Sequence, residues 1–444
     1  MATVIVGAGL AGLAAAHRLA KAGQDVVVLE AGAVVGGRTA SWVERGMPVE
    51  SGLHRFIGAY AKLPALMRDA GIDLDAVLWW EDEAEVRAAD GARGTLGGAP
   101  FHKPVQTLFG PLVNRGLLSP RDLASLVPFF SVGLGALVTR PRWLDSLTVT
   151  ELATRLGVTQ RAQAHLLEPF TAGLFFLPPE RYSAYNFFGL VGPAIPRVHH
   201  MRLGAFKGGM TEVMCGPIAA AVERFGGAVT TSAPVHELEL RDDRILGVVT
   251  DLGLVEADQV ILATDLGAAQ DLLRPVLGEH PWFADLLGAP TTASATFQLE
   301  LDRPALPSDR ATFGPGTAMA SFAEQSRTTF THATGRLSVI LQPPEPYLEQ
   351  QPEVVLKQVL ADGQRLGLDL GEVRDYRAIN HPRDFLSIEP GHAHRRPEQA
   401  TPVPGLLLAG DYTRTRWLSS MEGAVLSGQR AADLVLGRGR RLRR

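Results

Sequence analysis

Residues 3–30 read TVIVGAGLAGLAAAHRLAKAGQDVVVLE, and this stretch decides the fold. A short apolar run, Val4-Ile5-Val6, meets three glycines spaced G-x-G-x-x-G at Gly7, Gly9 and Gly12. An alanine- and leucine-rich segment of helical character follows, then Gly23, a second apolar run from Asp25 to Leu29, and Glu30. The order is strand, tight turn, helix, strand, acid. Gly7 lets the chain turn sharply, and Gly9 lets the backbone approach a pyrophosphate at a positively polarised helix N-terminus. Gly12 lets the helix pack closely on the sheet. Glu30 ends the second strand where a carboxylate accepts both hydroxyls of an adenosine ribose and repels a 2′-phosphate. The stretch predicts an adenine dinucleotide, NAD or FAD, and argues against NADP.

A chain of 444 residues is too long for one simple domain, so two or more lobes are expected. The formal charge of -4 gives no case for nucleic acid. The arginines at 438, 440, 441, 443 and 444 are a local exception, read as a solvated end or a contact with anionic lipid. Cys215 is the only cysteine, which excludes an internal disulfide and a multi-cysteine metal site. HxExxH, CxxC, Walker A and G-x-S-x-G motifs are absent, and no conventional nucleophile dyad is found, so no metal is expected. The first strand begins at residue 3, which leaves no room for a targeting peptide. The expected location is the cytoplasm, either freely soluble or seated peripherally on the inner face of the cell membrane.

Outward from Glu30, Ala31 leads to Gly36-Gly37-Arg38-Thr39, where glycine backbone packs on a ligand and a guanidinium reaches its phosphates or ring; a surface turn is the alternative. ESGLHRFIGAY at 50–60 mixes glycine, histidine and aromatics without periodicity, as cavity-lining sequence does. His54 is read as a proton carrier, a cofactor hydrogen-bond donor or a packed structural histidine. Residues 123–139 (LASLVPFFSVGLGALVT) carry no charge, and arginines 115, 121, 140 and 142 flank them. The run falls short of a bilayer span and contains Pro128, Gly133 and Gly135. It is read, with the apolar 101–118 region, as a membrane-resting entrance for a lipid-soluble substrate or as a buried helix pair. Leu174 to Phe188 is rich in Phe and Tyr, suited to the wall of an apolar cavity or to a core cluster. Strands are expected at 228–231, 235–240, 245–250 and 254–262, with Val235 offering backbone to an adenine edge.

The closing unit is Leu406 to Ala409, then Gly410-Asp411, a loop, and a small-residue helix opening at Met421. Asp411 ends a strand where a carboxylate binds a sugar hydroxyl or a water by a pyrophosphate. The first amides of the helix can stabilise negative charge on a reduced flavin. A nicotinamide enzyme does not need this unit, whereas a tightly held FAD does. FAD is therefore the expected cofactor. The expected FAD domain comprises 1–78, 204–265 and 395–437, the substrate domain 79–203 and 266–394, and the basic tail 438–444.

These segments resemble the FAD-dependent amine oxidase and phytoene desaturase superfamily. ESGLHRFIGAY and LLLAGDYTRTRWLSSMEGAVLSGQRAA (406–432) resemble most the plant- and cyanobacterial-type phytoene and ζ-carotene desaturases. The resemblance implies an α/β fold with a Rossmann-type, GR2-like (p-hydroxybenzoate-hydroxylase-like) FAD domain and an antiparallel-sheet plus helical substrate domain. It implies FAD contacts at Gly7, Gly9, Gly12, Glu30, Ala31, Gly37, Arg38, Val235, Gly410, Asp411 and Met421. His54, Arg55 and Tyr60 fall in the family's loop near the flavin as candidate catalytic residues, with no settled acid or base among them. The implied reaction is desaturation of a long isoprenoid polyene such as phytoene or ζ-carotene, by hydride transfer to flavin N5 with quinone or oxygen as final acceptor. The rivals are a hydroxysqualene dehydroxylase, a carotenoid-modifying enzyme or an amine oxidase of the same fold, and a non-enzymatic flavin-bound scaffold. Arg55 stands where the relatives carry a nonpolar residue, and Arg414 and Arg416 make the closing loop unusually basic.

Overall fold

The computed structural model describes residues 2–97 and 116–438. Residues 98–115 of the apolar entrance, and the basic tail beyond Arg438, lie outside the described residues.

The opening stretch folds as its composition dictates. Strand Ala2–Val6 pairs in parallel with Asp25–Leu29 on one side and Gln259–Leu262 on the other. Ala228–Thr230 and Leu406–Leu408 complete a five-stranded parallel sheet. Val and Ile dominate the central strands because both faces are covered. Helix Leu10–Lys21 buries ten of its residues, and its alanines let a neighbouring helix come close. That neighbour is Met421–Val435: a Cβ on Gly428 would fall 2.0 Å from the Ala11 carbonyl oxygen. Arg18 and Asp433 tie the two helices, Nε to Oδ1 at 2.8 Å and Nη2 to Oδ2 at 2.9 Å. The first and last segments of the chain are thereby one structural unit.

Where one strand was expected over 254–262 there are two. Gly253–Glu256 belongs to a three-stranded antiparallel flap with Val235–Arg241 and Arg244–Thr250. Gln259–Leu262 belongs to the parallel sheet. The break falls at Ala257-Asp258, where the chain changes sheets and pattern. Helix Leu266–Leu277, on the substrate side of a boundary at 265, packs Leu266 and Leu273 into the cluster that holds Val4, Val6 and Val260.

The second lobe is built on a seven-stranded mixed sheet whose long members are Val373–Leu386, Thr291–Leu301, Gly335–Leu341 and Met319–Glu324. One face is apolar: Phe297, Leu299, Phe322, Leu337 and Val339 pack with Val355 and Val359 of helix Pro352–Arg365. Period-two alternation turns Ser294, Thr296, Gln298, Arg336, Ser338 and His381 to the other face. All but His381 are buried there. Gln298 and Arg336 reach Glu50 and Pro48 of the first lobe.

Helix Pro120–Thr139 continues through Pro128, and the backbone bond that proline forgoes falls on the solvent side, where Ala124 and Pro128 are both exposed. It has a mean hydropathy of 1.6 over 18 residues and is long and apolar enough to cross a membrane, with 28% of that window buried. Its inner face, Leu126 and Phe129, joins Tyr182, Phe187 and Phe188 in a buried cluster. These aromatics are core, while Phe175 and Phe176 are half-buried against it.

Candidate functional site

The turn after the first strand takes the shape its glycines allow. Gly7 has φ +100°, and its N–H donates to Leu29 O at 2.8 Å. A Cβ on Gly12 would stand 1.9 Å from the Gly7 carbonyl oxygen, so glycine there is a packing necessity. Gly9 is different. Its φ of -72° suits any residue, and a Cβ would meet only Gly36 O at 4.0 Å. Neither strain nor protein packing requires glycine at 9; the space beside it is kept for something outside the chain. Helix Leu10–Lys21 has no side-chain cap and no acid in its first turn, which leaves its leading amides and positive dipole end for an anion. Gly9, the bare helix end and the Glu30 carboxylate together fit the pyrophosphate and ribose of a dinucleotide.

Glu30 Oε2 accepts from Ala8 N at 2.7 Å and Oε1 from Gly32 N at 2.8 Å. Each oxygen keeps a further lone pair for a hydroxyl. Ala31 is exposed beside it, and Ala233 N donates to Glu30 O at 2.8 Å, which brings Val235 to within two residues of that contact. A cleft of about 560 Å³, lined by Glu30, Gly32, Val34, Gly37 and Trp42, opens here.

Arg38 extends from the Gly36-Gly37 turn to Asp411. Its Nη1 donates to Oδ2 at 3.2 Å and its Nη2 to Oδ1. Asp384 Oδ1 stands 3.6 Å from Arg38 Nε and has no hydrogen-bond partner. Burial pushes the Asp411 carboxyl up, yet the Arg38 charge, its hydrogen bond and the Arg396 charge together outweigh burial and hold it below the usual range. Burial likewise opposes the charge of Arg38, and Asp411 with Asp384 reverses the effect and raises it. Gly410 donates its N–H to Ser427 Oγ at 2.8 Å, fixing the strand end against helix Met421–Val435. Met421 is buried at the start of that helix, and Ser420 caps Gly423 N at 3.2 Å.

The three loop candidates part company. His54 Nδ1 lies 3.1 Å from Gly52 O, and the charges it feels are those of Asp384, Arg38 and His381, so it belongs to the cofactor-side cluster. Burial lowers its pKa, favouring the neutral ring. Arg55 is paired with Asp309, which also accepts from Thr328. That pairing accounts for a basic residue at a position where a nonpolar one was expected. Tyr60 is buried in edge contact with Phe56 and Trp417, and burial raises its phenol.

Four groups had no signal in the sequence. Asp384 and His381 end a long strand with no glycine motif; Ser51 Oγ lies 3.0 Å from His381 Nε2. Glu50 is buried, with Gln325 Nε2 at 2.8 Å from Oε2 and Met210 N at 3.4 Å from Oε1. Burial pushes its pKa up to about 7. Glu422, in the first turn of the closing helix, accepts from Ala61, Lys62 and Leu63 N at 2.8–3.0 Å and caps helix Lys62–Asp69. Among the described residues no group of His, Cys, Asp and Glu is placed to hold a metal ion.

Against known families, residues 10–436 match the model of the flavin containing amine oxidoreductases. The chain belongs to that family. It is accordingly an oxidoreductase of the FAD-dependent amine-oxidase superfamily, with that superfamily's α/β FAD-binding fold. The 15-cis-phytoene desaturase of Synechococcus elongatus is 28% identical over 467 residues, covering 100% of this chain and 98% of that protein. The zeta-carotene desaturase of Synechocystis sp. is 27% identical over 489 residues, with 100% and 98% coverage. Among solved structures, wild-type putrescine oxidase bound to putrescine superposes with a TM-score of 0.75 at 19% identity, covering 99% of this chain and 100% of that one. An oxidoreductase from Methanosarcina mazei gives 0.75 at 19%, with 97% and 99% coverage. At that identity these two likenesses speak to the fold alone.

Proposed function

We propose that this flavoenzyme binds FAD and removes hydride from a mainly apolar, isoprenoid-class substrate that carries a polar group beside the reacting carbon. FAD, when bound, supplies the hydride acceptor at its flavin N5, with oxygen or a quinone as the final electron acceptor. The amides after Gly9 hold the pyrophosphate, Glu30 the adenosine ribose and the Val235 backbone the adenine edge. Ala31, Gly37 and Gly410 give close backbone approach. Arg38 and Asp411 bracket the middle of the cofactor, and the helix end at Met421 faces the flavin.

The observation that carries the substrate reading is the polarity of the buried seam beside the cofactor cradle. Ser294, Thr296, His381 and Asp384 lie along the sheet next to the 51–54 turn, where His54 and Ser51 face them. Ser51 is paired with His381 and Thr296 with the Ile379 carbonyl, but Asp384 Oδ1 is buried without a hydrogen-bond partner, which costs about 1–3 kcal/mol, and a bare hydrocarbon offers these groups nothing. A hydroxyl or amino group on the substrate would engage them, as in a carotenoid-modifying enzyme or an amine oxidase. Apolar surface for the rest of such a molecule is supplied by Phe176 and Phe385, with ring centroids 6.2 Å apart, and Leu53. Phe176 is held at φ +66°, a strained conformation of the kind that clusters at ligand sites.

The second reading is desaturation of a polyene, favoured by the full-length similarity to proteins named 15-cis-phytoene desaturase. Product analysis separates the two. Cells accumulating phytoene, and purified protein given hydroxylated isoprenoids or putrescine, should yield product only from the hydroxylated isoprenoids. More conjugated carotenes from phytoene would establish the second reading and overturn the first.

A further inference from the structure

A cleft of about 370 Å³ is walled by the Pro281–Leu286 turn, residues 394–398 and Arg414. Three arginines line it, Arg395, Arg396 and Arg414, together with Trp282. Asp285 and Glu398 are the carboxylates in the lining, so positive charge is in excess. Glu398 lies 3.3 Å from Arg414 Nη1. Arg395 and Arg396, adjacent in sequence, have no carboxylate within ion-pair distance among the described residues.

Arg396 is the decisive residue. It is only 3% exposed, and its donors go to uncharged oxygens: Nη1 to the Asp411 carbonyl, Nη2 to Ser419 Oγ at 3.0 Å. Its Nε–H is buried without an acceptor, and so is that of Arg395, whose Nη1 donates to Gly288 O at 2.7 Å. Burial lowers the Arg396 pKa and outweighs the Asp411 charge that favours its cation, and a buried charge without a direct ion pair is costly. Arg38 has already taken the Asp411 carboxylate. The chain builds a cationic cleft and leaves out its anion.

We propose that this cleft binds a small oxyanion of the carboxylate or phosphate class, and that Arg396 couples its occupancy to Asp411. A guanidinium fork matches either oxyanion in geometry and charge, and the indole accommodates a planar body attached to it. The coupling rests on the flavin reading given above; the binding does not. By linkage, an anion that shifts Arg396 alters affinity at Asp411, and a ligand at Asp411 alters anion affinity by the same factor.

Calorimetric titration of the FAD-loaded full chain with inorganic phosphate, and separately with acetate, tests this at ionic strength held constant with sodium chloride. Saturable binding of one anion per chain is expected, with the preferred probe identifying the class. Arg395→Met and Arg414→Met, both outside the cofactor cradle, should each weaken it at least tenfold while circular dichroism and bound flavin stay unchanged. The bound anion should also shift the flavin absorption spectrum. Absence of saturable binding by either probe, or binding unaltered in both variants, overturns the site. Binding with an unmoved flavin spectrum overturns the coupling. Repeating the titration on FAD-free protein keeps the two readings apart: phosphate binding by a chain that retains no FAD upholds the cleft and removes the flavin reading.

Discussion

Arg38 lays its guanidinium on the carboxylate of Asp411, joining the glycine turn near the start of the chain to its last strand. With about a third of the Arg38 side chain open to solvent, the pair is a site contact more than a stabilising core bridge. Asp411→Ala should leave the fold intact and raise the FAD dissociation constant at least tenfold, about 1.4 kcal/mol. Fluorescence titration of FAD into stripped protein measures this, and unchanged affinity would make the pair a bystander.

Gly9 and Gly12 separate ligand from packing. Gly9→Ala meets no protein atom closer than 4.0 Å, so FAD-free stability should stay within about 0.5 kcal/mol of wild type while FAD retention is lost. Gly12→Ala drives a methyl into the Gly7 carbonyl and should lower the unfolding midpoint with or without FAD. Urea denaturation of both stripped variants decides it.

Glu422 serves a helix other than its own. Removing it in Glu422→Ala strips the acceptor from three amides of the Ala61–Leu63 turn. The cost should be about 1–3 kcal/mol, read as a lower midpoint and faster amide exchange in Lys62–Asp69.

Glu50 gives stability a pH dependence of fixed sign. Its folded pKa of about 7 lies above the ordinary glutamate value of 4.5, so the native state binds the extra proton between those limits. Stability from this group is full below pH 4.5 and falls as pH rises to 7, by on the order of 3 kcal/mol. Urea melts at pH 5 and 8 should show that loss in wild type and a clearly smaller one in Glu50→Gln. Equal losses in both would assign the titration elsewhere.

Val138 is 81% exposed and Val127 63% on helix Pro120–Thr139, with Arg140 and Arg142 beyond its end. If this face rests on lipid, flotation with anionic liposomes should recover wild type and lose the Val127→Glu, Val138→Glu double variant. Equal flotation would place the contact elsewhere.

What the sequence revealed follows from how each constraint is written. A turn that needs φ +100° at Gly7, an amide cradle and a strand-terminal acid restrict residue type locally, so the fingerprint and the Leu406–Val435 unit were legible with their elements. Asp384, Glu50 and Glu422 act through partners in distant segments, and no spacing marks such a pair. Arg55 shows the converse: a basic residue where a nonpolar one was expected is the partner of the buried Asp309. The aromatic run at 174–188 could not be divided by composition, because core and cavity walls use the same residues.

The central claim is that FAD bound across the Gly9 and Met421 helix ends takes hydride from an isoprenoid bearing a polar group. The most direct measurement is anaerobic mixing of FAD-loaded protein with hydroxylated isoprenoids, phytoene and putrescine, following the oxidised-flavin absorption band. The account predicts bleaching by a hydroxylated isoprenoid, recovery on admitting oxygen or a quinone, and no bleaching by phytoene. Bleaching by phytoene or putrescine alone, or a protein that retains no FAD, would contradict it.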